Sequence, residues 1–265
     1  MDPLHSPSDT AEHTAVITRV AERHWHALED DLVVGRGEAS RRPDGRIFLS
    51  IDSWHGVVFD QLADAMLADL PTPLYTVVDE ADLDLTSSWR RAGFTTRRRE
   101  WEYVVPTDPR ATGLGSVLPP SDVTIIAAGA VDEECLRTVD RALRDEVEAT
   151  VGWQDMPAEV LPRPDGRTVL DPSKYVVAAQ SDRYVGLVRV ASVTRRPRIG
   201  LIAVLAEQHR RGIARALLAH VLGSLHRSGF ETASAEVTES NGAAMALFDG
   251  VGAQRASSNL ELVHR

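Results

Sequence analysis

The chain has 265 residues and carries 39 Asp and Glu against 29 Lys and Arg, a formal net charge of −10. That balance argues against a nucleic-acid partner, which needs a basic footprint to neutralise phosphates. One cysteine, Cys135, excludes an internal disulfide framework, and no apolar run is long enough to span a bilayer, so a cytoplasmic chain with no membrane partner is expected.

The length suits one large domain or two ordinary ones. Residues 1–12 are polar, with two prolines, and are expected to form a flexible tail. Strands are expected at His13–Val20, Trp25–Glu29, Leu32–Glu38 and Arg46–Ile51, the last preceded by a Pro-Asp-Gly turn. Phe59, Leu62, Ala63, Met66, Leu67 and Leu70 fall on one helical face, and Pro71 and Pro73 end that helix. Leu74–Val78 reads as a branched apolar strand, Leu83–Ala92 as a helix closed by Gly93, and Thr95–Val105 as a strand. The basic run Arg97-Arg-Arg99 alternates with Glu100 and Glu102, which suggests an edge strand with solvated charges. Residues 106–121 show no periodicity and are rich in proline and glycine, so they are taken as a linker.

The second half repeats the order. Asp122–Ala128 is expected as a strand and Asp132–Ala149 as an amphipathic helix, with Leu136, Val139, Leu143 and Val147 on one face. Cys135 sits on that helix and is expected to be a small packed residue rather than a nucleophile. Thr150–Pro172 is irregular, includes Trp153 and Met156, and reads as a mobile or substrate-facing segment. Tyr175–Ala179 and Tyr184–Val190 form a hairpin, followed by strand Arg198–Leu205, a turn and a helix from Ile213. Strand Phe230–Thr238, helix Asn241–Val251 and strand Gln254–Val263 complete the chain. Trp89-Arg-Arg-Ala-Gly-Phe94 corresponds to Phe248-Asp-Gly-Val-Gly-Ala253, so the halves read as two copies of one unit. The expected fold is α/β, or α+β with mixed sheets: two tandem units, residues 13–105 and 122–265, each a central twisted mixed sheet flanked by helices.

The stretch from Val204 to Leu218 is the most informative. A branched apolar strand runs into a polar turn, His209-Arg-Arg-Gly212, and then into a helix with apolar residues at Ile213, Leu217, Val221 and Leu225. The first turn of a helix offers unsatisfied N–H groups and the positive end of the dipole, and a glycine there lets an anion approach the backbone. The turn is therefore a candidate phosphate cradle.

His209-Arg-Arg-Gly-Ile-Ala214 resembles the Gln/Arg-x-x-Gly-x-Gly/Ala acyl-CoA loop of the GCN5-related N-acetyltransferase (GNAT) superfamily. Val204-x-Ala206-Glu207 is similar to the Val-x-Pro-Glu that precedes it, and Asn241-Gly-Ala-Ala244-Met-Ala-Leu247-Phe248 followed by Gly252 resembles the family's second signature. Histidine replaces Gln/Arg, alanine replaces proline, and Phe248 stands where the family has its tyrosine acid. The first half has only Asp52-Ser-Trp-His-Gly-Val-Val58 at the matching place, without arginine, and reads as a degenerate copy whose Trp25, Trp54 and His55 line an acceptor wall.

The resemblance implies direct transfer of an acetyl or acyl group from acetyl-CoA, or another acyl-CoA, to a primary amine, through a tetrahedral intermediate. It places the cofactor's pantetheine along Ile202, Ala203 and Val204, with the Val204 N–H as oxyanion donor. It places the pyrophosphate on His209, Arg210, Arg211, Gly212, Ile213 and Ala214 with Arg215, and lets Asn241, Ala244 and Phe248 border the cofactor arm. Glu236, Glu239, Glu146, Glu148, Asp155 or a water remain open as the base, and Ser240, a water or solvent as the acid. The expected partner is a small-molecule amine; a protein N-terminus or lysine, or a catalytically decayed CoA-sensing module, is the alternative. A monomer or homodimer is expected, and no metal.

Overall fold

The computed structural model describes residues 15–42, 44–150, 152, 170–191 and 196–265. The expected tail at 1–12 lies outside the described residues, as do Trp153, Asp155 and Met156. Twelve strands form one mixed sheet among the described residues. The first half supplies β1 (Val16–Ala21), β2 (His24–Glu29), β3 (Leu32–Arg41), β4 (Ile47–Ser53), β5 (Leu74–Asp79) and β6 (Thr95–Pro106). The second supplies β7 (Thr124–Ile126), β8 (Tyr175–Gln180), β9 (Arg183–Ala191), β10 (Arg198–Val204), β11 (Thr232–Thr238) and β12 (Gln254–His264). The helices are α1 (Gly56–Asp69), α2 (Leu83–Arg91), α3 (Pro109–Thr112), α4 (Glu133–Thr150), α5 (Ile213–Arg227) and α6 (Gly242–Asp249).

The repeat is visible in local hydrogen bonding. α2 ends with Gly93 at φ 86°, and Phe94 N–H reaches back to the Trp89 carbonyl at 3.0 Å. α6 is followed by Gly252 at φ 73°, and Ala253 N–H reaches back to the Phe248 carbonyl at 3.2 Å. In both, a glycine takes the left-handed backbone that lets the chain turn from helix into the last strand.

Those last strands are exchanged. The sheet order is β1-β2-β3-β4-β5-β12-β6-β11-β10-β9-β8-β7. β12, from the end of the chain, pairs with β5 of the first half, and β6 pairs with β11 of the second. The two run antiparallel to each other at the centre, from Gln254 opposite Val104 to Val263 opposite Thr95. The cores follow the exchange. Leu260 and Leu262 of β12 pack with Trp25, Leu62, Met66 and Trp89, whereas Tyr103 and Val105 of β6 pack with Leu187, Leu217 and Phe248. A division by chain order at residues 106–121 leaves this exchange out. That segment carries α3, capped by Asp108, and buries Leu114.

The exchange corrects the reading of Arg97–Arg99. β6 is central, so its charges are drawn inward rather than solvated at an edge. Arg98 is buried and lies 3.0 Å from both Glu100 and Glu261. Glu261, 1% exposed, also meets Arg97 at 2.5 Å and Arg46 at 3.4 Å. Burying a carboxylate this deeply is tolerable only with such pairing.

One feature of the sheet positions the site. β10 and β11 are parallel partners only at Arg198–Ser234 and Ile199–Ala235, and beyond that they diverge. β4 and β5 do the same after Ile47–Leu74 and Phe48–Tyr75. A parallel pair that parts after two residues leaves one unpaired backbone edge facing a cleft, and that edge must find partners elsewhere.

Candidate functional site

The cradle forms where β10 ends. Arg210 and Gly212 both take left-handed backbone, at φ 62° and 85°, on either side of Arg211. Left-handed residues in this turn gather successive N–H groups into a concave nest, and α5 starts directly after it with no side-chain cap on its first N–H groups. A Cβ added at Gly212 would meet nothing within 4 Å, so the space above the turn is open. His209, Arg210, Gly212, Ile213, Ala214 and Arg215 wall a cavity of about 810 Å³ together with Ile202, Ala203 and Val204. The donors, the open space and the elongated wall fit an acyl-CoA pyrophosphate and its arm.

The three arginines nominated for the phosphates have different surroundings. Arg211 turns away from the cavity and bonds both carboxylate oxygens of Asp122, at 2.6 and 2.7 Å, and the buried Gln208 amide oxygen. The pairing holds the Asp122 carboxyl down at about 2 and pushes the Arg211 guanidinium up. Arg210 and Arg215 form no ion pair among the described residues and remain at the cavity wall. Arg211 thus anchors the turn to the start of the second half, and the other two supply the free positive charge.

The open edge of β10 is defined by its other partner. Leu205 N–H donates to the Val185 carbonyl on β9 at 2.9 Å, which turns the amide and carbonyl of Val204 toward the cleft. Close approach of β9 is allowed by Gly186, where a Cβ would stand 3.0 Å from Val204 Cγ2. The Val204 carbonyl accepts a hydrogen bond from His209 Nε2 at 2.7 Å. The neighbouring Ala206 N–H donates to the Glu146 carboxylate of α4, at 3.0 and 3.2 Å. Glu146 is therefore engaged at the cleft rim. Strand alternation puts the Val204 N–H on the same open edge as that of Ile202, facing the cleft where β10 and β11 part.

A second cavity of about 420 Å³ continues from the first. They share Leu143, Val147, Ile202, Ala203, Asn241, Ala243 and Ala244, so one cleft crosses the parted strands. Its far wall holds Glu236, Thr238, Ser240 and Phe248. Glu236 bonds Arg198 through Oε2 at 3.0 Å, which leaves Oε1 as its second acceptor. Glu239 is not in this wall; it pairs with Arg99 at 2.9 Å on the neighbouring strand. The Asn241 side chain accepts from the Ala244 N–H at 3.0 Å and so caps α6, and the residue borders both cavities.

Phe248 is 2% exposed and lies 5.5 Å, centroid to centroid, from Tyr103 of the exchanged strand. The Tyr103 hydroxyl does not stand in for the missing phenol. It accepts from Arg255 Nε at 2.9 Å, and burial pushes its phenol up. Cys135 is half-buried on α4, outside both cavity walls, and its hydrogen bond to Asp132, with partial desolvation, raises the thiol. No group of three or more metal-ligating side chains occurs among the described residues.

Sequence reasoning missed Asp140 and Arg144. These α4 residues face the second cavity and bond each other at 2.6 and 3.1 Å, and Asp140 is buried. The signal was available, since Asp140 interrupts the apolar stripe Leu136, Leu143, Val147. In the first half, the parted strands β4 and β5 lack a cradle. Trp25 is core, with its indole N–H donating to Asp69 at 3.1 Å, and Trp54 is 83% exposed, so neither walls the cleft.

Residues 140–253 match the family model described as acetyltransferase (GNAT) family. No curated protein is a significant match to the chain. Among solved structures, a GCN5-related N-acetyltransferase from Sphaerobacter thermophilus is 15% identical with a TM-score of 0.62, over 93% of this chain and 82% of that one. A tandem GNAT protein from the clavulanic acid biosynthesis pathway is 14% identical with a TM-score of 0.64, over 91% and 82%. A GCN5-related N-acetyltransferase from Kribbella flavida is 12% identical with a TM-score of 0.59, over 95% and 90%. At such identities the likeness is one of fold, and it extends over both halves of the chain.

Proposed function

We propose, from the match of residues 140–253 to the acetyltransferase (GNAT) family model, that the protein transfers an acetyl or other acyl group from acyl-CoA to a primary amine of a small molecule. The observation that carries this reading is the continuity of the cleft: the nest at Arg210–Gly212 and the Val204 edge open into the same space as Glu236. When bound, acyl-CoA supplies an activated acyl group as a thioester. The nest N–H groups, with Arg210 and Arg215, hold its phosphates. The Val204 N–H donates to the oxygen that gains charge as the amine attacks. Glu236, through Oε1, takes a proton from the amine, directly or through one water.

A second reading is a CoA-binding module whose catalysis has decayed. Phe248 favours it, because a buried phenyl ring cannot protonate a leaving thiolate. Calorimetry with acetyl-CoA, followed by free-thiol release across an amine panel, separates the two. Binding with turnover of any amine supports the enzyme, binding with none supports the module, and absence of binding overturns both.

A further inference from the structure

Resting on the acyltransfer reading, we propose that the acceptor is a singly charged primary amine on an apolar body, such as an aryl-alkyl amine, and not a polycation. The overall charge of −10 would suggest the opposite. The cleft beyond Ala203 carries none of that excess among its described residues. Among the described residues, two carboxylates, Asp140 and Glu236, belong to its wall, and each is engaged by an arginine: Asp140 by Arg144 at 2.6 and 3.1 Å, Glu236 by Arg198 at 3.0 Å. One ammonium can share the second oxygen of Glu236. A further ammonium would lose water against Leu143, Val147, Ile199, Leu201, Val237 and Phe248 without a counter-charge.

The same six residues are what an apolar body needs. The space of about 420 Å³ lies in the size range of small-molecule pockets, which are mostly hydrophobic with a few polar groups fixing orientation. Here Glu236, Thr238 and Ser240 lie together on and just after β11, while Asp140 and Arg144 of α4 satisfy each other. Phe248 extends the apolar side where a tyrosine would have added a hydroxyl. The amine is thus directed to Glu236 and its carbon body toward Leu143, Val147 and Phe248. The transfer balances as ammonium plus thioester giving amide, free thiol and one proton. The carbon–nitrogen bond forms as the carbon–sulfur bond breaks. One proton passes to Glu236 and on to solvent, and the second reaches the departing sulfur.

The test is free-thiol release from acetyl-CoA by the full chain with 2-phenylethylamine, tryptamine and hexylamine against spermidine and kanamycin. The expected result is a kcat/KM at least tenfold higher for the three apolar amines. A higher value for spermidine or kanamycin overturns the acceptor class and leaves acyl transfer standing. Silence from all five, with acetyl-CoA binding intact, defeats the catalytic reading. Calorimetry of 2-phenylethylamine with the CoA-bound protein then decides the class alone, and no binding overturns it. Leu201→Asp places an unpaired carboxylate in the apolar wall. It should cut kcat/KM for 2-phenylethylamine at least tenfold and narrow or reverse its margin over spermidine; an unchanged margin counts against the proposal.

Discussion

Arg211 and Asp122 are joined by two short hydrogen bonds across 89 residues of chain, and this pair removes from the cradle one of its three arginines. Arg211→Ala should therefore act on the turn's position and not on charge at the phosphate. Arg210→Ala and Arg215→Ala should weaken acetyl-CoA binding with a strong salt dependence, while Arg211→Ala weakens it with little. Titration calorimetry at two ionic strengths reads the difference. The pair also sets a pH dependence. Asp122 is held at about 2 in the fold, below its unfolded value of about 3.9. Its contribution is therefore present above the unfolded value and lost as pH falls toward about 2, and Asp122→Asn should remove that part of the acid unfolding curve.

Gly212 tests the cradle itself. Its φ of 85° costs an alanine roughly 1–2 kcal/mol, although a Cβ would clash with nothing. Gly212→Ala should lower the melting temperature modestly and weaken acetyl-CoA binding severalfold. Gly212→Glu adds a negative charge in the open space and should abolish binding by calorimetry. Substitutions between Asp52 and Val58, at the matching turn of the first half, should leave affinity nearly intact.

Much of the site was legible because its signals are local. The order of strand, glycine turn and helix around Gly212 needs only residues 199–225, and the same holds for Asn241 as a helix start. What was not legible depends on pairing between distant strands. Nothing in Arg97–Arg99 distinguishes an edge strand from a central one, since the pattern is the same and only the neighbours differ. The neighbours come from the exchange of β6 and β12, which joins residues at least 150 apart. The role of Arg211 was hidden for the same reason: its partner Asp122 sits at the start of the second half, and three adjacent polar residues cannot reveal which one turns back. His209 is legible as part of the cradle motif, but its ring bond to the Val204 carbonyl depends on a turn geometry that sequence does not specify.

Glu236 is the carboxylate proposed to take the amine's proton in the cleft. Glu236→Gln keeps the shape and one acceptor oxygen, so acetyl-CoA affinity should be unchanged. The kcat for the best amine should fall about 10²-fold or more, with the loss shrinking as pH rises and the amine arrives already neutral. Glu239→Gln, at the Arg99 pair outside the cavity wall, should leave kcat near wild type. Equal losses in the two variants would reassign the base.

Phe248→Tyr asks whether the missing phenol limits turnover. The ring is buried against Tyr103 and forms part of the cavity wall, so a new hydroxyl points along an apolar surface. The expected cost is about 1–3 kcal/mol of stability. The expected gain is a higher kcat with a new limb at alkaline pH, because the phenol can then donate to the leaving sulfur. A variant that loses stability with no change in kcat or its pH profile would show that solvent already delivers that proton.

Leu262 tests the exchange. It belongs to the last strand of the chain yet is fully buried in the core of the first half, opposite Thr76 of β5. Leu262→Ala should cost about 2–5 kcal/mol through lost burial and the cavity left behind. For a chain of this size that corresponds to a fall in melting temperature of roughly 4–10 °C. Because β12 also pairs with β6, and β6 with β11, the loss should not stay in the first half. With Trp54, Trp101 and Trp153 replaced by phenylalanine, fluorescence of Trp25 and Trp89 reports the first core, and acetyl-CoA binding reports the second. The two should fail together in one transition. If the tryptophan signal melts early while binding persists to the wild-type temperature, the halves unfold independently and the exchanged strands do not couple them.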